Sequence, residues 1–168
     1  MKQSYEEIAK KLNAEFSFTE QSIPMADGSK DVQYIYYIKV PYNGTTITVR
    51  HHEGVLVMGD VFVEFETKKD NLNFSITTYN FIERLFRKKQ NNYNIKGKDS
   101  KSFLDNCRAL KEVLNLFKTS TFEPIINGTE GQTHFSILTE YNLLLEDKAF
   151  MIEPLVEFYK TVIDEFKK

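Results

Sequence analysis

A chain of 168 residues that is 41% apolar and 27% charged can close its own core without disulfides or a structural metal, which excludes a disordered tail or a cysteine-stapled miniprotein. Its net charge of −2 supplies no global field toward nucleic acid or anionic lipid. No apolar run approaches the ~20 residues that span a bilayer, and the first residues, MKQSYEEIAKKL, lack the apolar centre of a signal peptide.

These features predict a cytoplasmic, bacterial-type protein with no membrane partner. The single cysteine, Cys107, excludes an internal disulfide and agrees with a reducing compartment.

In chain order, Tyr5, Ile8, Ala9 and Leu12 recur at helical spacing over 4–12, with Ser4 as N-cap and Glu7 three residues on. Phe16 and Phe18 alternate as in a short strand, and PMADGSKD (24–31) reads as a polar loop. VQYIYYIKVPY (32–42) and TTITVRHH (45–52) flank Asn43-Gly44, the strongest local signature of a two-residue hairpin, because both turn residues tolerate positive φ. VFVEFET (61–67) and NLNFSITT (71–78) read as a second hairpin closed by Lys68-Lys69-Asp70.

Ile47 and Val49 share one face, as do Val61, Val63 and Phe65, while Thr46, Thr48, Arg50, His52, Phe62, Glu64 and Glu66 take the other. Such a sheet is covered on one side only.

The segment 79–89 is helical by period, and NNYNIK (91–96) reads as a short strand. Asp99 or Ser100 caps a helix with Phe103, Cys107, Leu110, Leu114 and Phe117 on one stripe. EPIIN (123–127) and QTHFSILT (132–139) form a further hairpin, YNLLLED (141–147) a last strand, and Pro154 opens a terminal helix whose stripe is Leu155, Phe158, Tyr159, Val162 and Phe166. The sum is a single α+β domain over residues 1–168: a mainly antiparallel sheet built from hairpins, with helices packed on one face.

Chemistry is sparsely marked. Cys107 falls on an apolar stripe, which offers burial rather than a stabilised thiolate. His51 and His52 point to opposite sheet faces and cannot jointly chelate an ion, and no zinc spacing, nucleophile elbow or phosphate loop occurs. No cofactor is expected. On the polar face, Arg50 and His52 stand beside Glu64 and Glu66, with Asp60 of the same parity. Cross-strand ion pairing accounts for that set; a hydrolase-type site at His52, Glu64 and Glu66 is the weaker alternative.

GVLVMG (54–59) places Val55, Leu56, Val57 and Met58 between glycines. The run reads as a short buried strand, and if it loops out instead it presents an apolar surface to a partner.

Charge is segregated. From Arg84 to Lys101, seven basic residues (Arg84, Arg87, Lys88, Lys89, Lys96, Lys98 and Lys101) face one acid, Asp99, a balance of +6 that leaves −8 on the rest. With Tyr93 available to stack on a base, this stretch is the candidate for nucleic-acid binding, although basic residues at helix ends are accounted for by the helix dipole and by solvation. The leading expectation is a non-enzymatic binding or accessory protein, of the adaptor, chaperone-like or immunity type. It works through contacts with a protein partner or a second copy, using Arg50, His52, Phe62, Glu64, Glu66 and the Val55–Met58 run. A nucleic-acid accessory protein is the alternative.

Overall fold

A computed structural model describes residues 2–78, 93–116, 124–143 and 148–167. Its centre is one eight-stranded sheet, in spatial order β1-β2-β3-β4-β8-β7-β5-β6, with every neighbouring pair antiparallel. The strands are β1 (Glu15–Pro24), β2 (Lys30–Tyr42), β3 (Thr45–Glu53), β4 (Met58–Glu66), β5 (Phe74–Thr78), β6 (Tyr93–Gly97), β7 (Ile125–Glu130) and β8 (His134–Asn142). The described helices are α1 (Lys2–Lys11), α2 (Ser100–Asn106), α3 (Arg108–Leu116) and α4 (Ile152–Phe166). The expected α+β architecture is the one observed. No described helix is long and apolar enough to cross a membrane.

Helix α1 begins two residues before Ser4, so the expected cap lies inside the first turn. Its other end is a left-handed stop: Asn13 has φ 50°, Ala14 N–H donates to Ala9 O at 2.8 Å, and Asn13 N–H donates to Lys10 O at 3.2 Å. The β2–β3 hairpin turns at Asn43 (φ 45°) and Gly44 (φ 72°), the two positive φ values of a type I′ turn. The short strand read at Phe16 and Phe18 extends to ten residues and pairs with β2 throughout.

The second expected hairpin does not form. β4 pairs with β3 and β8, and β5 pairs with β6 and β7, so two strands separate them. Three strand spacings are roughly 14 Å, and seven extended residues reach about 24 Å; the stretch 67–73 therefore crosses the end of the β7–β8 hairpin without strain. It is held there by Thr67 N–H on Thr133 O, and by Glu130, which accepts from Leu72 N–H and whose own N–H donates to the Asn73 side chain.

The helix read as one piece from Asp99 or Ser100 to Phe117 is broken at Cys107, which is extended (φ −66°, ψ 113°). Asp99 is helical and makes no side-chain cap; Ser100 instead buries its hydroxyl against Asn73 O at 3.3 Å. Cys107 is buried, as its stripe predicts, and burial raises its thiol pKa. The strand read at 141–147 survives only as the end of β8 at Asn142, and 144–147 lie outside the described residues, as do the helix at 79–89 and Phe117.

All four described helices cover one face. α1 stacks Tyr5 on Tyr36 of β2, with ring centroids 4.4 Å apart. α2 reaches the core through Phe103 against Phe166, and α3 buries Leu110, Val113 and Leu114. α4 is the central helix: Leu155, Phe158, Tyr159, Val162 and Phe166 are all buried against the strands. Tyr159 donates its hydroxyl hydrogen to Val61 O at 2.6 Å, so Thr139, 2.8 Å away, donates to Tyr159. These contacts assign Ile47, Val49, Val61, Val63, Phe135 and Ile137 to the helix side, in one core. The opposite face of the sheet carries none of the described helices.

Candidate functional site

The open face is laid out by strand register. β3 sets Thr48 opposite Phe62 and Arg50 opposite Asp60; β8 sets Leu138 opposite Phe62 and Glu140 opposite Asp60; β7 sets Ile125 opposite Glu140. Phe62 and Leu138 are therefore cross-strand neighbours, and Ile125 is diagonal to Leu138 at about 7–8 Å between backbones. Phe62 is 40% exposed and Ile125 46%. An apolar stripe thus runs across the middle of the open face. Glu64, Glu66 and Glu140 are exposed around it.

Arg50 Nε donates to Asp60 Oδ2 at 2.8 Å, and this hydrogen bond raises the guanidinium pKa. Asp60 is 5% exposed, so the pair satisfies a carboxylate that the sheet partly encloses.

The hydrolase-type arrangement is not assembled. His52 stands opposite Met58, whereas Glu64 stands opposite Ser136 and Glu66 opposite His134. Six residues along β4 separate Met58 from Glu64, about 20 Å. His52 is half-buried, and desolvation followed by the Arg50 charge lowers its pKa, which moves it away from a protonated role near neutrality. A cleft of about 540 Å³ is bordered by Glu66, Thr67, Lys68, Thr133 and Lys167, with no histidine among its described lining residues. Among the described residues, no three His, Cys, Asp or Glu side chains converge to hold a metal ion.

The Val55–Met58 run departs from the buried-strand reading. Met58 starts β4, but Gly54 to Val57 form a loop, and Val55 and Leu56 are 45% and 46% exposed. The loop is nevertheless fixed. The buried Gln33 carboxamide accepts from Leu56 N–H at 2.8 Å and donates to Leu56 O at 3.1 Å and Glu53 O at 2.9 Å. Gly54 (φ +123°) lets the backbone pass against Val32 O, where a Cβ would collide. Gln33 shares parity with Ile35 and Tyr37, so the loop is tied to the open-face side of β2.

Behind the loop, on the helix side, lies a buried polar cluster. His51 is fully buried: its Nδ1 is 2.9 Å from the Tyr5 hydroxyl and its Nε2 2.6 Å from the Tyr141 hydroxyl. A neutral imidazole has one donor and one acceptor nitrogen, so one tyrosine donates to the ring and the other accepts from it. Burial, then the Lys148 and His52 charges, push the His51 pKa down to about 3. Glu53, also buried, lies 2.9 Å from Lys148 Nζ, and burial followed by the Glu53 charge pushes the Tyr36 hydroxyl up to about 12. The sequence did carry a signal for these residues. His51 and Glu53 share the parity of Ile47 and Val49, so two polar side chains on an apolar face had to find buried partners.

Of the basic stretch, Arg84, Arg87, Lys88 and Lys89 lie outside the described residues. Lys96 and Lys98 are exposed on and after β6, the sheet edge, and Tyr93 is half-buried and packs against the core. Comparison with protein-family models, with curated proteins and with solved structures found no match for this chain.

Proposed function

We propose that this chain is a non-enzymatic protein-binding module, of the adaptor or chaperone-like kind, that engages its partner with the open face of the sheet and the Gln33-tied loop. One observation carries the reading: Val55 and Leu56 are exposed on a loop whose backbone is hydrogen-bonded to a buried side chain. Fixing a loop costs conformational entropy, and burying Val55 and Leu56 in a partner is what recovers it. An ordered, exposed aliphatic pair is the form of a preorganised anchor.

The stripe of Phe62, Leu138 and Ile125 extends the apolar surface, and the exposed Glu64, Glu66 and Glu140 give it an acidic rim. The partner that fits is a protein with an apolar pocket flanked by basic side chains.

The test is site-specific photo-crosslinking in cells. A benzophenone side chain replaces Leu56 or Phe62, with exposed Lys111 on α3 as the control position. Positions 56 and 62 should yield one shared protein adduct, diminished by excess unlabelled chain and by Gln33→Leu. Adducts no different from those at 111 would refute the proposal; a nuclease-sensitive adduct would assign the face to nucleic acid instead.

A further inference from the structure

Among the described residues the sheet has a second uncovered feature, distinct from its open face. β1 is an edge strand, and among the described residues β2 is its sole strand neighbour. The register runs unbroken from Glu15↔Lys39 to Pro24↔Lys30. At the hairpin end, Met25 N–H donates to Ser29 O at 2.9 Å, which makes the odd-numbered residues of β1 those bonded to β2. The N–H and C=O groups of Phe16, Phe18, Glu20 and Ser22 therefore point away from the sheet. Pro24 agrees with this phase, since its missing N–H falls on the outward side.

An edge of this length without a bulge is a template for another strand, and native edges are usually shortened, twisted or covered. The side chains indicate which strand fits. Phe16, Phe18 and Glu20 lie on the helix side, where Phe18 stacks on Tyr34 and Lys2 Nζ sits 5.2 Å above the Phe18 ring. Glu20 is exposed and has no partner among the described residues.

We propose that β1 pairs antiparallel with β1 of a second copy, about a two-fold axis perpendicular to the sheet at Thr19. This register sets Phe18 opposite Glu20 of the second copy and Phe16 opposite Ser22. It engages all the outward groups of Phe16, Phe18, Glu20 and Ser22, about eight main-chain hydrogen bonds. It also brings Glu20 of each copy beneath Lys2 of the other, forming two ion pairs from groups that have no ion-pair partner among the described residues.

Shifting the pairing one step toward the loop would oppose Glu20 to itself; one step the other way leaves Ser22 out of the ladder. The axis keeps both sets of helices on the same side, so the two half-buried Phe16–Phe18 pairs continue one apolar surface. A foreign strand would have to reproduce this alternation and charge, which the second copy already carries.

Sedimentation equilibrium on the full chain from about 1 to 500 μM, at low and at high salt, tests this; the two exposed ion pairs lie in a range salt can screen. The expected result is a monomer–dimer equilibrium weakened by salt. Glu20→Lys sets two lysines together and should weaken the dimer about tenfold or more. Adding Lys2→Glu to Glu20→Lys should restore it. Ser22→Pro deletes an outward N–H only, and should also weaken the dimer while leaving the circular dichroism spectrum unchanged. A monomer throughout the range overturns the proposal, as does a dimer indifferent to both Glu20→Lys and Ser22→Pro. Failure of the double charge swap to restore pairing overturns the register.

Discussion

His51 gives the most quantitative test of the structure. It is buried between Tyr5 and Tyr141, and its pKa is about 3 in the folded chain against an ordinary 6.5. Between those values the unfolded chain binds a proton that the folded chain does not, so stability rises with pH across that window and is lost as pH falls from about 6.5 toward 3.

Each pH unit inside the window is worth about 1.4 kcal/mol; at pH 5, about 1.5 units below the ordinary value, the loss is about 2 kcal/mol. Urea unfolding at pH 7 and pH 5 measures it. The carboxylates contribute their own pH dependence, so the informative quantity is the difference between the wild-type chain and His51→Gln, which should reach about 2 kcal/mol, with the wild type the more pH-sensitive. Proton NMR offers an independent reading that needs no variant: the His51 ring signals should stay fixed from pH 8 to about pH 4.5, well above its folded pKa. A His51 midpoint near 6.5, or equal pH dependence in both chains, would refute the buried neutral imidazole.

Two further perturbations probe the same packing. Gly59→Ala would drive a Cβ into the Tyr141 ring and crowd His51, so a loss of about 1–3 kcal/mol is expected by chemical denaturation. A neutral result would mean that Tyr141 is not seated against Gly59. Tyr159→Phe removes the hydroxyl that joins Thr139 to Val61 O inside the core, and about 1–3 kcal/mol should be lost for the buried groups left short of a partner. An unchanged unfolding midpoint would count against that buried bridge.

How far the sequence reaches depends on the range of the interaction involved. Alternation in 45–52 and 61–67 identified two strands and the correct buried face, because a period of two is a property of a few adjacent residues. Asn43-Gly44 specified its hairpin for the same reason: two positive φ values are settled locally.

Which strands neighbour each other was not local. Lys68-Lys69-Asp70 looked like a turn, yet β8 and β7, from over 50 residues later in the chain, take the places between β4 and β5. The apolar faces of all these strands look alike to a pattern; in the fold, Phe74 of β5 and Phe135 of β8 both pack against Phe166 of α4, and Glu130 ties the crossing stretch to β7.

The same division holds for the site. Composition and parity put Arg50, His52, Phe62, Glu64 and Glu66 on one polar face, and that is where they lie. The register then decided that Arg50 meets Asp60 and that His52 and Glu64 are far apart, since shifting antiparallel strands by a single pair exchanges every partner. The sequence could mark GVLVMG as apolar but not say whether it was covered. That rested on Gln33, about 20 residues earlier, whose side chain holds the loop from the open-face side. What the chain determined alone was most of the strands, helices and core; what tertiary structure decided was where elements break and which polar groups meet, because hydrogen-bond partners are chosen by long-range packing rather than by the residues beside them.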